Sequence, residues 1–202
     1  MARFKSATFT DMKRRALLDA ALAVFSDKGL DGASMRAIAA EAGVTTGALY
    51  SLFEGKEDIY AELLGESLAR LHAFVKERAA AAETPREVLR AAIRAFYDYY
   101  AARLFEIELG MHSFAGLKPS SLGRDRDADL NAALIATLDI FADAVARTAP
   151  ELSAAQVRTE RDAIFAALIG TLVLASTGRD ESVGTTADAV ITSHIDALLQ
   201  RL

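Results

Sequence analysis

Apolar residues recur every three or four positions along almost the whole chain, and this period constrains the fold more than any other feature. Leu17, Leu18, Ala21, Leu22 and Phe25 make one stripe; Ile93, Phe96, Tyr97, Tyr100 and Leu104 make another. A third runs through Leu130, Leu134, Leu138, Phe141 and Val145. A helix gathers residues at that spacing on one face, whereas a strand needs strict alternation. No alternating stretch of any length and no internal repeat is present. Punctuation falls between the stripes. Thr84, Pro85 and Glu87 form a capping box with proline in the first turn, which satisfies the unpaired N–H groups of a helix start. Gly29 and Gly43 stand where helices should stop, and Ser34, Thr45 and Ser153 where they should start; small oxygen side chains cap starts and glycine ends them.

The expectation is an all-α chain of about nine helices. They span about Thr10 to Lys28, Ser34 to before Gly43, Thr45 to Leu52, and "EGKED" to about Ala82, then a helix opening at Thr84. Further helices carry Leu130 to Val145, Ala154 to Ser176, and Ala187 to Leu202; "AGLKPSSLGRDRD" and "TGRDESVG" are read as loops. The first three hold too little apolar surface for a large domain, so residues 1–54 are read as a compact module docked on a helical domain of residues 55–202.

Composition narrows the classes. A chain of 202 residues can bury a sizeable core. Without cysteine there are no disulfides and no thiolate metal sites. The longest apolar run, "AIFAALIGTLVLAS" (Ala163 to Ser176), is too short to span a bilayer, and the N-terminal stretch lacks the apolar core of a secretory signal. A cytoplasmic protein with no membrane partner is expected. The net charge of −5 is uneven: residues 1–60 hold eight basic and eight acidic groups, so the excess lies beyond them. Arg3, Lys5, Lys13, Arg14 and Arg15 face only Asp11 in the first fifteen positions. Such an end either meets a polyanion or is simply a solvated terminus.

Ser34 to Phe53 reads as two helices around a tight turn. Ala39 is small enough for close approach, Gly43 permits the positive φ of a sharp turn, and Val44, Leu49 and Phe53 fill the wedge between helices. In a helix-turn-helix the second helix enters the major groove of DNA. Its chemistry fits that use. Thr45 and Thr46 offer hydroxyls, Gly47 lets backbone approach the groove, and Tyr50 and Lys56 offer a phenol and an ammonium to phosphate. Ser34 caps the preceding helix, and Arg36 on that helix can reach phosphate or a base edge; Leu52 is read as core.

The string from Arg14 to Leu63, "RRALLDAALAVFSDKGLDGASMRAIAAEAGVTTGALYSLFEGKEDIYAEL", resembles the DNA-binding region of the tetracycline-repressor (TetR) family of bacterial regulators. The residues that carry the resemblance are Ala20, Ala21, Phe25, Gly29, Ile38, Ala39, Ala42, Gly43, Val44, Gly47, Leu49, Tyr50, Phe53, Lys56 and Glu57. It implies that Tyr50 and Lys56 contact operator phosphates, that Thr45, Thr46 and Gly47 face the groove, and that Arg36 and a basic arm with Arg3 and Lys5 touch DNA. Leu52 stands where the family often has histidine, which removes one phosphate contact. The resemblance covers about a quarter of the chain and implies that the remainder is a helical ligand-binding and dimerisation domain.

There the residues alone speak. "FYDYYAARLFEIELGMHSF" concentrates Phe96, Tyr97, Tyr100, Phe105, Met111, His112 and Phe114, and Phe165 lies on a later helix. Together they suit an apolar effector cavity with a few polar tips; each alone also suits ordinary core. His112 and Glu108, four apart, lack a third metal ligand, so a hydrogen-bonding histidine is preferred to a metal site. Arg161 can pair with a carboxylate, meet an acidic ligand or sit at a dimer seam. The apolar all-round helix and the last helix are read as a homodimer interface through Ala163, Ala167, Gly170, Ile191, Ile195 and Leu198. His72, His112 and His194 fall on separate helices and no phosphate loop or nucleophile motif appears, so neither an enzyme nor a bound cofactor or metal is expected. The function expected is a ligand-responsive regulator, a repressor binding a palindromic DNA operator as a homodimer and released by a small apolar or aromatic effector; an activator or ligand-independent regulator is the alternative.

Overall fold

The computed structural model describes residues 9–104, 106–107, 110 and 124–202. Among them the helices are α1 (Phe9–Gly32), α2 (Met35–Glu41), α3 (Thr46–Tyr50), α4 (Lys56–Ala80), α5 (Pro85–Ala101), α6 (Arg124–Thr148), α7 (Ala154–Ser176), α8 (Arg179–Ser182) and α9 (Ala187–Arg201). No strand occurs among the described residues, and none of their helices is long and apolar enough to cross a membrane. The expected caps form. Ser34, Thr45, Thr84 and Ser153 each accept a backbone N–H at the start of α2, α3, α5 and α7, with full capping boxes at Thr84–Glu87 and Ser153–Gln156.

Three boundaries differ from the sequence reading. Gly29 does break α1 with φ 66°, but a last helical turn continues to Gly32. The segment read as a loop to Asp127 is already helical from Arg124, where Asp125 and Asp127 sit in the first turn of α6; carboxylates there complement the positive end of a helix. "TGRDESVG" contains the short α8, entered through Gly178 at φ 63°.

One apolar cluster runs from Leu17 of α1 to Leu199 of α9. The helix α4 is its spine: α1 packs beside its first half, and α5 and α6 lie along its length. Helices α7 and α9 pack on α5 and on each other. Phe25 of α1 meets Tyr60 of α4 edge to face, with ring centroids 5.9 Å apart. Ile38, Leu49 and Ile59, from α2, α3 and α4, are each wholly buried, so the two short helices α2 and α3 reach α4 through continuous packing.

Candidate nucleic-acid interface

The turn between α2 and α3 is built by the backbone. The N–H of Val44 donates to the carbonyl of Ala39 at 2.9 Å, and that of Gly43 to Ala40 at 3.2 Å. This double closure is a Schellman motif, which needs a left-handed residue at its centre; Gly43 supplies it with φ 66°. Thr45 then caps α3, its Oγ1 accepting the N–H of Ala48 at 3.2 Å. Across α3 the two faces separate. Leu49 is wholly buried and Phe53 nearly so, while Thr45, Gly47 and Tyr50 are exposed and Thr46 is half-buried. Tyr50 is 56% exposed, and it shares its face with Gly47 and Thr46. Arg36 and Ser34 are exposed at the start of α2; the Ser34 hydroxyl oxygen accepts from Ala37 N–H at 3.2 Å, leaving its proton to donate. The sequence-selected groups Ser34, Arg36, Thr45, Thr46, Gly47 and Tyr50 are therefore all on the surface of one small module.

Arg14 fixes that module to α4. Its guanidinium lies over the Phe53 ring at 4.4 Å from the centroid. It donates through Nε to Glu62 Oε1 at 2.7 Å and through Nη1 to the carbonyl of Leu52 at 3.3 Å, and a second bond from Nη2 completes a bidentate pair with Glu62. Such forked pairing adds geometric specificity to charge attraction. Arg15 reaches Glu66 at 2.6 Å and Asp19 at 2.6 Å. From the far side Arg126 of α6 meets Glu54 at 2.6 Å and Asp58 at 3.2 Å. Two of the five N-terminal basic residues are thus committed to carboxylates of the protein itself. Arg3 and Lys5 lie outside the described residues.

Lys56 has partners within the chain that the sequence did not disclose. Its ammonium does not stand alone beside α3: it donates to the carbonyls of Leu30 at 2.8 Å, Ala33 at 3.1 Å and Asp31 at 3.4 Å. Those oxygens lie at and just beyond the C-terminal end of α1, where the helix dipole is negative.

The expected effector residues divide. Phe96, Tyr100 and Phe165 come together, with Phe96 5.2 Å from Tyr100 and 6.2 Å from Phe165 between ring centroids. Phe141, from α6, joins them at 6.0 Å from Phe96. Tyr97 points elsewhere, under the Arg94 guanidinium at 5.3 Å, because it is one helical position round α5. Phe105, Met111, His112, Phe114 and Glu108 lie outside the described residues. Beside the aromatic group is a polar network that the sequence did not disclose. Tyr99 Oη donates to Glu106 Oε2 at 3.0 Å, Ser67 Oγ donates to the same oxygen, and Arg70 approaches Glu106 at 3.4 Å. Arg103 covers the Tyr99 ring at 4.6 Å. Burial pushes the phenols of Tyr99 and Tyr100 above their ordinary range, so both stay protonated and able to donate. Within it only Arg103 and Glu106 are near neighbours in the chain, three positions apart; Ser67 is 39 positions from its partner.

The expected dimer face is also divided. Ala163 and Gly170 of α7 are exposed and Ala167 is half-buried. Ile191, Ile195 and Leu198 are instead buried in the protomer, at 0%, 2% and 2% exposure, where α9 packs on α5 and α7. The apolar stripe of α9 serves the chain's own core, and its outer face carries Ala189, Ser193 and Ala197. Arg161 pairs with Asp162 at 2.8 Å and with Asp139 of α6 at 3.4 Å, so it meets carboxylates of its own chain.

Comparison with known proteins agrees with this geometry. Residues 17–63 match the family described as bacterial regulatory proteins, tetR family. The transcriptional activator FasR of Mycolicibacterium smegmatis is 37% identical over 89 residues, 44% of this chain and 41% of that protein. The transcriptional repressor KstR of Mycobacterium tuberculosis is 36% identical over 73 residues, 36% of this chain and 33% of that protein. The chain therefore spans well under half the length of these curated relatives. The structure of the transcriptional regulator FadR from Bacillus subtilis in complex with stearoyl-CoA superimposes with a TM-score of 0.71 at 22% identity, covering 93% of this chain and 98% of that one; it shares the fold. The matched stretch is the one whose turn, caps and wedge residues form the helix-turn-helix, so residues 17–63 carry the segment described as bacterial regulatory proteins, tetR family.

Proposed function

We propose that the protein is a ligand-responsive transcriptional regulator that binds a palindromic operator in double-stranded DNA as a homodimer. The observation that carries this reading is the exposed face of α3, where Thr46, Gly47 and Tyr50 stand clear of the wedge formed by Leu49 and Phe53. A helix so mounted presents hydroxyls to base edges and phosphates. In this reading residues 1–54 hold the DNA and 55–202 hold the effector and the second subunit. Ser34, Arg36, Thr45 and Tyr50 meet phosphate, and Thr46 and Gly47 lie against base edges. Two such modules must sit about 34 Å apart, or a multiple, to meet successive major grooves. The exposed small residues Ala163 and Gly170, with half-buried Ala167, suit close contact between copies of α7 across the two-fold axis.

Effector control follows from the spine. The helix α4 carries the DNA module at one end and lies against α5 and α6 along its length. A molecule inserted beside Phe96, Tyr100 and Phe165 moves α4 and so alters the spacing of the modules; it acts only through different affinity for the two spacings. An apolar chain would meet these rings, with the Tyr99–Glu106 network at its polar end. We take stearoyl-CoA, present in the Bacillus subtilis structure of like fold, as the first probe. Repression relieved by the effector is the favoured sign. Activation is the second reading, favoured by the relative whose name states that role. The experiment selects duplexes from a random library and measures binding against salt, with and without stearoyl-CoA. Enrichment of a palindrome whose binding weakens with Tyr50→Ala supports the reading. No enriched sequence and no salt-dependent binding would end it, and a promoter–reporter fusion reads the sign.

A further inference from the structure

We propose that Lys56 is a positioning residue that locks the helix-turn-helix onto α4. An ammonium has three N–H donors and no acceptor. Here all three have a carbonyl within reach: Leu30 at 2.8 Å, Ala33 at 3.1 Å and Asp31 at 3.4 Å. The three oxygens cluster because Gly29 turns the chain left-handed at φ 66° and the last turn of α1 closes on Ala33. Lys56 is the first residue of α4, and Met35, two residues beyond Ala33, begins α2. One side chain therefore ties the segment that leads into the module to the segment that leaves it. Arg14 makes the matching tie on the opposite side, from Phe53 and Leu52 to Glu62. The bonds to Leu30 and Ala33 are partly buried, so removing their donor leaves carbonyls short of a partner away from water, which is costly. The side chain thus sets the angle at which α3 leaves α4, which is the angle a groove would read.

The inference rests on the DNA-binding reading only for its second arm. In the first arm, the full chain labelled with nitrogen-15 and carbon-13 is examined by NMR for couplings between Lys56 Nζ and the carbonyl carbons of Leu30 and Ala33. Their presence in the free protein, and persistence after a library-selected duplex is added, support the proposal. Their absence, or their replacement by a coupling to phosphorus, overturns it. In the second arm Lys56→Met keeps the aliphatic stem and removes the donors. A phosphate contact predicts that the slope of log affinity against log salt falls by about 0.9 while specific and random duplexes weaken alike. A positioning role predicts an unchanged slope, at least tenfold loss on the selected duplex, and little loss on random DNA. If the wild-type chain shows no salt-dependent DNA binding, the functional reading fails, and the couplings in the free protein still decide the tie.

Discussion

Gly47→Ala sets stability and DNA binding against each other, and so tests which way α3 faces. Gly47 lies inside α3, is exposed, and keeps ordinary helical backbone. A Cβ built there meets nothing within 4 Å. The methyl thus brings no clash in the free protein, while alanine is favoured over glycine in a helix by up to about 1 kcal/mol. The variant should be more stable by about 0.5–1 kcal/mol, which for a chain of this size raises Tm by about 1–4 °C. Binding should move the other way. If Gly47 lies against the groove floor, the methyl holds the helix off its contacts and costs about 1–3 kcal/mol, a weakening of roughly 5- to 150-fold. Thermal denaturation and fluorescence anisotropy on one selected duplex measure both quantities. Gly43→Ala is the control: it also meets open space, but at φ 66° alanine costs about 1–2 kcal/mol, so its Tm should fall. A Gly47→Ala protein that is more stable and binds the duplex as tightly as wild type would refute the placement of this face in the groove. One that is less stable would refute the helical argument itself.

Other outcomes follow from the remaining sites. Phe96 is 1% exposed and touches Tyr100, Phe141 and Phe165, so Phe96→Ala should lose about 3–5 kcal/mol in denaturant unfolding; a loss under about 1 kcal/mol would mean that the rings already border a hollow. Ala163→Glu places like charges on both copies of an exposed α7 face; light scattering should fall from twice the chain mass to the 21.6 kDa of one chain, and an unchanged dimer moves the interface elsewhere. Burial, then the nearby Arg201, lowers the pKa of His194, against an opposing effect of Glu160, and its buried Nε2 has no hydrogen-bond partner. A histidine with a depressed folded pKa leaves the unfolded chain binding more protons below about pH 6.5, so stability falls on acidification through that range. His194→Gln should reduce the drop in Tm between about pH 7.5 and 5.5; an identical drop would place the titrating group elsewhere.

The sensing half shows why aromatic composition alone misleads. Phe96, Tyr97 and Tyr100 share one helix, yet Tyr97 turns to Arg94 while Phe96 turns to Phe141 and Phe165 and meets Tyr100. A rotation of about 100° per residue separates neighbours that look equivalent in a list of rings. The same holds for α9. Ile191, Ile195 and Leu198 mark a real stripe, but a stripe says only that a face is covered. Whether the cover is the chain's own α5 and α7 or a second copy is a question of packing.

What the sequence determined by itself is everything whose physics closes within about five residues: the helical period, the capping box at Thr84, the cap at Ser153, the glycine turn at Gly43 and the two faces of α3. Each rests on backbone geometry and near-neighbour bonds that the local string already contains. Tertiary structure alone decided where the charges went. Arg14 meets Glu62 48 positions away, Lys56 meets Leu30 26 away, and Ser67 meets Glu106 39 away. A flexible, charged side chain looks the same in sequence whether it awaits phosphate or ends on a carbonyl, because its choice is made by which helix end the folded chain brings within 3 Å or so.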